Sequence, residues 1–317
     1  MSKGKQRYVA VVVTYNRREL LTEALESLLQ QTVSPQKILV INNAATDGTE
    51  ALFEGSGRFA NEPAVEQIKM SSNLGGAGGF ARGVALAQKI DTDWVSLSDD
   101  DAIFASNYFE RLLQAADETP SVAGFAGQVI LPDGRIQVDQ RQIIRNWDRL
   151  KTYSVPEKDY HQAMVSIDTF TFCGAFVKRA LIQEIGVPNA DFFIWGDDIE
   201  YSLRIRAHSK IQLVTAAKLI HKTKVPSIDF ANQYQPDWRE YYGLRNHVAT
   251  VLSHAHSPLF GRTLLFGWMA AKYGLTLTPR FKGYRRHIQR VYWQAFGDGL
   301  RGKLGKNEHY LPKGASL

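Results

Sequence analysis

Residues 8–13, Tyr-Val-Ala-Val-Val-Val, form the stretch that decides the fold. A continuous, largely β-branched run of this length predicts a strand buried on both faces, as in a parallel sheet. A helical stripe of leucines follows over residues 18–31, and a second helix is predicted over residues 80–90. Three further strands are predicted, at residues 37–42, 65–70 and 94–97. Strand and helix therefore alternate, which predicts an α/β fold with a mostly parallel sheet flanked by helices.

An acidic cluster, Ser98-Asp99-Asp100-Asp101, directly follows the strand at residues 94–97. Ligands of such sheets bind at the carboxyl ends of the strands. Three neighbouring carboxylates repel one another, so at least one pKa is expected to rise unless a cation is bound. Mg²⁺ or Mn²⁺ would relieve this repulsion, because both prefer oxygen ligands. A solvated acidic turn or a helix cap is the alternative interpretation, and the cluster alone does not decide between the two.

A glycine-rich segment runs from Asn73 to Gly83, with four glycines in five positions. Glycines leave room for backbone to approach a ligand, and the helix predicted just after them would attract phosphate at its N-terminus. Arg82 is expected to pair with a diphosphate. The spacing excludes both a P-loop and a dinucleotide-binding fingerprint. A flexible loop before a helix remains the alternative.

A third cluster is Trp195-Gly196-Asp197-Asp198-Ile199-Glu200, ahead of a helix predicted over residues 199–208. Asp197 and Glu200 have the spacing of a capping box, which leaves Asp198 to act as a general base. Trp195 offers a flat apolar face to a sugar ring. The alternative is that both aspartates only cap and solvate the helix. His221 follows an apolar run and is either a neutral ligand for the same ion or a structural residue.

The composition of the 317 residues sets limits on the protein class. Hydrophobic residues make up 44% of the chain, enough for one large domain with an appendage or for two small domains. The single cysteine, Cys173, excludes an intrachain disulfide and a thiolate zinc cluster, and its apolar surroundings predict a buried, unreactive thiol. No apolar run approaches the ~20 residues of a spanning helix, so we expect a cytoplasmic protein.

The formal charge of +6 is unevenly distributed. Residues 257–306 hold ten Lys and Arg residues and one acid, Asp298. The pattern is helical, aromatic and basic from residue 237, so we divide the chain into a catalytic domain, 1–236, and a C-terminal helical region, 237–317. Trp, Tyr and basic residues together suit peripheral contact with anionic lipid at the inner face of the cell membrane. A homo-oligomer-forming region is the alternative, and nucleic acid is not an expected partner.

Four motifs, in this order, resemble glycosyltransferase family two, the inverting GT-A enzymes. They are Val11-Val12-Val13-Thr14-Tyr15-Asn16-Arg17, Ile41-Asn42-Asn43-Ala44-Ala45-Thr46-Asp47-Gly48-Thr49, Asp99-Asp100-Asp101 and Trp195-Gly196-Asp197-Asp198. The resemblance covers about residues 8–250. The glycine-rich segment and residues 192–201 are most similar to bacterial galactofuranosyltransferases, which use UDP-galactofuranose.

The resemblance implies three groups of site residues. Those that bind the UDP-sugar donor are Thr14, Arg17, Asn43, Arg82, Asp99 and Asp100. Those that hold a divalent metal, Mn²⁺ or Mg²⁺, are Asp99, Asp101 and His221. Trp195 and Asp197 would contact the acceptor sugar, and Asp198 would be the catalytic base.

These roles imply inverting transfer of galactofuranose to a glycan or lipid-linked glycan acceptor in cell-surface polysaccharide synthesis. A rhamnosyltransferase of the same family is the nearest alternative. A nucleotidyltransferase would also need a metal and paired acids, but it would release pyrophosphate. A non-catalytic carbohydrate-binding protein would bind sugar without metal and tolerate the loss of Asp198.

Overall fold

A computed structural model describes residues 6–223 and 234–311, which form parts of two compact units. The first unit comprises Met1–Ile143, Tyr153–Asn189 and Asp198–Lys224. The second comprises Ile144–Thr152, Ala190–Asp197 and Val225–Leu317. The two units interleave along the chain, whereas the sequence predicts a single division at residue 236.

In the described residues, twelve strands form a nine-stranded sheet and a three-stranded sheet. They are β1 (Tyr8–Thr14), β2 (Lys37–Asn42), β3 (Val65–Lys69), β4 (Trp94–Asp99), β5 (Ala102–Phe104), β6 (Gly124–Ile130), β7 (Arg141–Asn146), β8 (Lys151–Ser154), β9 (Met164–Ile167), β10 (Thr169–Phe170), β11 (Ala175–Lys178) and β12 (Ile211–His221). The large sheet has the order β3-β2-β1-β4-β11-β6-β12-β5, and β9 also pairs with β12. The small sheet has the order β10-β7-β8.

The parallel part of the large sheet confirms the predicted fold class. Strands β3, β2, β1 and β4 are mutually parallel, and β12 runs parallel to β6. Strand β11 lies antiparallel between β4 and β6, and β5 and β9 pair antiparallel with β12. Parallel neighbours end at the same edge of the sheet, so the residues that follow β1, β2 and β4 meet there.

Eight α-helices accompany the strands in the described residues. They are α1 (Arg18–Leu29), α2 (Gly75–Ala87), α3 (Tyr108–Glu118), α4 (Arg179–Ile185), α5 (Asp197–His208), α6 (Arg239–His254), α7 (Pro258–Leu275) and α8 (Arg285–Leu300). The last three confirm the helical pattern predicted from residue 237. None of the helices in residues 6–223 and 234–311 is long and apolar enough to cross a bilayer.

Strand β1 is buried on both faces, as its sequence predicts. Its residues alternate between two hydrophobic clusters, with Tyr8, Ala10 and Val12 in one and Val9, Val11 and Val13 in the other. The alternation follows from the two-residue repeat of a strand. A strand with helices packed on both sides needs apolar side chains at every position, which explains the uninterrupted run.

The glycine-rich segment departs from the prediction, because α2 begins at Gly75, inside the run, and not at residue 80. A Cβ on Gly79 would lie 2.6 Å from Val13 Cγ1, and a Cβ on Gly83 would lie 2.2 Å from Val11 Cγ1. Neither distance leaves space for a side chain. These glycines therefore let the helix pack closely against β1, a role that outweighs their low helix propensity.

Candidate active site

The acidic cluster, Thr14 and His221 meet at one edge of the large sheet. Thr14 ends β1 and Asp99 ends β4, and these two strands are parallel neighbours. His221 ends β12, where it pairs with Ala102, the residue after Asp101. The backbone N–H of Lys222 donates to the Asp101 carbonyl at 2.8 Å, which fixes this end of β12 against the acidic turn.

Asp100 is buried between a hydroxyl and a guanidinium. The Thr14 Oγ1 donates to Asp100 Oδ2 at 2.7 Å, and Arg17 Nη1 lies 3.2 Å from Asp100 Oδ1. Burial raises the pKa of Asp100 to about 6, although Arg17 and Thr14 both act to lower it. Desolvation of the charged form outweighs these partners, so this carboxylate retains a proton more readily than an exposed one.

Asp101 has different surroundings at its two side-chain oxygens. Arg17 Nη1 donates to Oδ2 at 2.7 Å, whereas Oδ1 lies 3.3 Å from His221 Nε2. Burial acts to raise the pKa of Asp101, but His221 and Arg17 outweigh it and lower that pKa. Burial likewise acts to lower the pKa of Arg17, and the neighbouring aspartates outweigh it and raise that pKa. Arg17 therefore remains a cation between two carboxylates.

The His221 ring is oriented by Gln137. Gln137 Oε1 accepts a hydrogen bond from His221 Nδ1 at 2.7 Å, which directs Nε2 towards Asp101. Nε2 lies 3.3 Å from Asp101 Oδ1, a buried oxygen with no hydrogen-bond partner in the described part of the chain. When the ring is neutral, Nε2 and Oδ1 are two acceptors directed at one position, a suitable pair of ligands for a cation.

This pair is smaller than the three-residue metal site that the resemblance implies. In residues 6–223 and 234–311, no group of three or more His, Cys, Asp or Glu side chains is arranged to hold a metal ion. Asp101 and His221 are brought together, whereas Asp99 does not complete a cluster with them. Asp99 lies at the end of β4 and contributes its charge to the neighbourhood of Arg17.

Asn43 connects the loop after β2 to the start of α2. Its Nδ2 donates to Asn73 Oδ1 at 3.0 Å and to the Gly75 carbonyl at 2.9 Å, and its Oδ1 accepts from the Leu74 N–H. The side chain thus holds this loop, and its contact with a nucleotide stays a prediction. Arg82 is exposed on α2, and no hydrogen bond or ion pair joins it to the acidic cluster in the described residues.

The loops after β1 and β2 are tied to each other. The Thr46 N–H donates to Asn16 Oδ1 at 2.6 Å, and the Arg18 N–H donates to Asp47 Oδ2 at 2.9 Å. Asn16 has φ = 53° and Ala44 has φ = 60°, in the left-handed region that non-glycine residues rarely adopt. Such strain persists only where the surroundings hold it, so these loops form a fixed rim beside Thr14.

Asp198 lies in the first turn of α5, half-buried. Its Oδ1 accepts the Ile199 N–H at 2.7 Å, and its carbonyl accepts the Ser202 hydroxyl at 2.7 Å. Burial raises the pKa of Asp198 to about 6, and the Ile199 hydrogen bond and the charge of Arg141 act against that rise. A carboxylate with a pKa close to neutral pH is suited to accept a proton.

Asp197 and Glu200 differ from the predicted capping box. The helix α5 begins at Asp197, so this residue lies inside the first turn and does not precede it. The Glu200 carboxylate accepts from Arg204, with Nη2 at 2.8 Å and Nε at 3.1 Å. Both aspartates therefore belong to the helix itself, and Asp197 is buried whereas Asp198 is partly accessible.

Within the second unit, residues 192–196 form a strained loop. Phe193 and Trp195 both have φ = 64°, and Gly196 has φ = 89°. The Asn246 amide, on α6, donates to the carbonyls of Trp195 at 2.7 Å and Ile194 at 3.1 Å. Trp195 remains 44% exposed, and its contact with a sugar stays a prediction. The amide of Asn246 therefore fixes a conformation that the chain alone would avoid.

Three residues have supporting roles that the sequence-based prediction does not assign. Gln137 orients His221, Asn246 holds the Trp195 loop, and Arg141 is fully buried in the first unit. Arg141 donates to the carbonyls of Gly127 at 2.9 Å and Cys173 at 2.7 Å. Nothing in the local sequence marks these residues, because their partners lie far along the chain. Cys173 itself is buried, as predicted, and burial raises the pKa of its thiol.

Comparison with known proteins identifies the family. The family model described as Glycosyl transferase family 2 matches residues 9–186, more than half of the chain. The chain belongs to this family. The match spans β1 to α4, and so includes Thr14, Arg17 and the acidic cluster.

Two relatives from mycobacteria are galactofuranosyltransferases. The chain is 30% identical to galactofuranosyltransferase GlfT1 of Mycolicibacterium smegmatis over 204 residues, which is 62% of this chain and 64% of the relative. It is 31% identical to GlfT1 of Mycobacterium tuberculosis over 200 residues, 62% of this chain and 63% of the relative. An N-acetylglucosaminyl-diphospho-decaprenol L-rhamnosyltransferase of Mycobacterium tuberculosis is 22% identical, over 67% of this chain and 74% of its own. The chain therefore spans somewhat under two thirds of the GlfT1 relatives.

Solved structures show the same fold. GalNAc-T7 with UDP, GalNAc and Mn²⁺ superimposes with a TM-score of 0.63 at 14% identity, covering 93% of this chain and 56% of the other. TarS of S. aureus, residues 1–349 in complex with UDP, gives a TM-score of 0.58 at 13% identity, covering 93% of this chain and 80% of the other. Together with the family match, these similarities show that the first unit has the GT-A fold.

Proposed function

We propose that this chain is an inverting, metal-dependent glycosyltransferase that moves galactofuranose from UDP-galactofuranose to a glycan or lipid-linked glycan acceptor. The observation that carries the proposal is the buried network in which Arg17 and His221 meet Asp101 at the carboxyl edge of the sheet. Galactofuranose is favoured as the donor sugar because the GlfT1 relatives carry that activity in their name.

Donor binding would use the strand ends of the first unit. Thr14 and Arg17 line the edge next to the acidic cluster, and Asn43 holds the adjoining loop. The half-exposed Arg17 guanidinium is positioned to pair with a phosphate oxygen while still neutralising Asp100 and Asp101. Arg82, exposed on α2, would provide a second guanidinium for the diphosphate.

A divalent cation fits the position between Asp101 Oδ1 and His221 Nε2. Asp101 Oδ1 has no hydrogen bond in the described residues, and Nε2 of a neutral His221 ring is a second acceptor. Mn²⁺ or Mg²⁺ bound there would supply positive charge next to the departing diphosphate. Because two protein ligands meet in the described residues, phosphate oxygens of the donor would complete the coordination, which couples metal binding to donor binding.

Asp198 would act as the general base. Its carboxylate takes the proton of an acceptor hydroxyl as that oxygen forms a bond to the anomeric carbon of the donor sugar. The bond from this carbon to the diphosphate oxygen breaks, and UDP leaves with the electron pair. A single displacement inverts the anomeric configuration. Trp195 and Asp197 would position the acceptor sugar, and Arg17 would stabilise charge on the leaving group.

The test is UDP release in the presence of Mn²⁺ from a panel of UDP- and dTDP-sugars with mixed glycan acceptors. We expect turnover with UDP-galactofuranose and none with dTDP-rhamnose. Turnover with dTDP-rhamnose alone would contradict galactofuranose as the donor sugar. It would support a rhamnosyltransferase, the activity of the 22% identical relative. Sugar binding without UDP release from any donor would support a non-catalytic carbohydrate-binding protein, and pyrophosphate release from a nucleoside triphosphate would support a nucleotidyltransferase.

We also propose that α7 and α8 contact an anionic membrane surface peripherally. Large apolar side chains are exposed there, including Leu259 at 83% and Trp293 at 73% relative exposure. The same stretch, residues 257–306, carries ten basic residues and one acid. An amphipathic, basic surface of this kind binds anionic lipid through apolar insertion and charge together.

Vesicle co-sedimentation tests this proposal. Binding to vesicles that contain phosphatidylglycerol should exceed binding to pure phosphatidylcholine, and should weaken with salt and in Trp293→Ala. Equal recovery with both kinds of vesicle would contradict it. Concentration-dependent self-association without lipid, lost in the same variant, would support the oligomer alternative in its place.

A further inference from the structure

A cavity lies entirely within the second unit and includes Trp195 in its wall. Its volume is about 430 Å³. The lining combines aromatic rings with three basic side chains, Arg149, Lys151 and Lys272, and with one acid, Glu240. The aromatic lining beside Trp195 consists of Trp268, Tyr292 and the imidazole of His247. Cations placed among apolar walls are the usual composition of a site for an anion with an apolar substituent.

Lys272 is a desolvated cation. Its Nζ lies 5.1 Å from the Trp268 ring centroid and 5.0 Å from that of Tyr292, so it is held over two aromatic faces. Burial lowers the pKa of Lys272, although the charge of Glu240 acts to raise it. No carboxylate of residues 6–223 or 234–311 forms an ion pair with Lys272 or Arg149. A partly buried cation without a close counter-ion favours the binding of an external anion.

His247 adds no charge to this cavity at neutral pH. Its ring lies 5.0 Å from that of Trp268, and burial, Lys272 and Arg149 together lower its pKa to about 4. Glu240 accepts a hydrogen bond from the Tyr234 hydroxyl, and burial raises the pKa of this carboxyl. The three cations thus outnumber the one acid.

We propose that this cavity binds an anionic group of the acceptor, a phosphate or a carboxylate, while Trp195 contacts the sugar that is modified. The inference rests on the proposed function for the role of Trp195, and it extends that function by naming the acceptor class. Glycans whose reducing end carries a phosphodiester, or which contain a uronic acid beside the modified sugar, have the required chemistry. Neutral glycans lack it.

The catalytic test compares three acceptors that share the same modified sugar. They are a neutral octyl glycoside, its octyl phosphodiester counterpart and a glycoside with an adjoining uronate. We expect the KM of at least one anionic acceptor to be about tenfold below that of the neutral one, and Lys272→Met to remove the difference. Methionine keeps the aliphatic stem on the rings of Trp268 and Tyr292. The matched control is Lys89→Met, at an exposed lysine outside the cavity, which should leave all three KM values unchanged.

A binding test is independent of turnover. Calorimetric titration of the UDP-saturated protein with phenyl phosphate, benzoate and benzyl alcohol should show binding of an anion and none of the alcohol. Arg149→Gln provides a second variant if Lys272→Met does not fold. It should weaken the binding of the anion at least about fivefold. Equal KM values for all three acceptors together with no anion binding would overturn the inference. Failure of the proposed function is distinguishable, because it would abolish UDP release with every acceptor while anion binding persisted.

Discussion

Asp101 Oδ1 and His221 Nε2 lie 3.3 Å apart, and Gln137 Oε1 accepts the hydrogen bond that His221 Nδ1 donates on the other side of the ring. Two acceptors at this distance repel unless a cation or a proton lies between them. A third residue, Gln137, therefore determines whether the pair is available to a metal. The affinity of the site for a divalent cation should depend on this glutamine, which touches neither the cation nor the substrate.

The first prediction follows from this relationship. Gln137→Leu removes the acceptor for Nδ1–H and frees the His221 ring to change tautomer, so Mn²⁺ affinity in the presence of UDP should fall about tenfold to a hundredfold. Calorimetric Mn²⁺ titration measures the loss. Gln36→Leu, at an exposed glutamine at the other end of the sheet, is the control and should bind Mn²⁺ as the wild type does. Unchanged Mn²⁺ affinity in Gln137→Leu would contradict the proposal that the cation binds between Asp101 and His221.

The second prediction concerns the proposed base. Asp198→Asn removes the proton acceptor but keeps the shape and the first turn of α5, so kcat should fall about 10²-fold to 10⁴-fold with little change in donor KM. Steady-state UDP release measures both constants. Asp133→Asn, in an exposed turn, provides a matched control without loss of activity. Equal kcat in Asp198→Asn and wild type would assign the proton transfer to another group.

The third prediction is a pH dependence. Because burial raises the pKa of Asp198 to about 6, the base is protonated below that pH and deprotonated above it. Activity should therefore rise with pH through about 6 and level off above it. The pKa of Asp100 is also raised to about 6 by burial, so the two groups must be separated. The residual activity of Asp198→Asn should show no such rise, and a rise that persists in this variant would point to Asp100.

The fourth prediction separates packing from ligand contact in the glycine-rich helix. Gly83→Ala places a Cβ 2.2 Å from Val11 Cγ1 and should destabilise the fold by about 2 kcal/mol. Gly76→Ala meets no atom within 4 Å and should be neutral or stabilising by ~0.5 kcal/mol. Urea unfolding of both variants gives the comparison. Equal stability of the two variants would contradict the close packing of α2 against β1.

The fifth prediction concerns the loop that carries Trp195. Asn246→Ala removes the amide that binds the carbonyls of Ile194 and Trp195, so the strained loop should relax. Acceptor KM should rise about tenfold while donor KM stays constant, because the donor residues lie in the first unit. Thr250→Val, which loses a buried hydroxyl on the same helix without a loop contact, controls for stability. A parallel loss of donor binding in Asn246→Ala would indicate general unfolding.

The C-terminal quarter of the chain shows how much of the fold a local sequence pattern can predict. Residues from 237 onward have helical spacing, and α6, α7 and α8 follow it. The pattern does not indicate that Ile144–Thr152 and Ala190–Asp197 join these helices in one compact unit. That association depends on contacts between residues distant in sequence, such as those of Asn246 with residues 192–195.

By itself, the sequence determined the alternation of strands and helices, the buried character of β1 and the family of the chain. These properties depend on local repeat lengths and on short contiguous motifs, which a single chain displays directly. Only the tertiary structure decided that α2 begins within the glycine run, because the reason lies in Val11 and Val13 on another element. It alone also paired His221 with Gln137, since a hydrogen bond between residues 84 positions apart leaves no periodic signal in sequence.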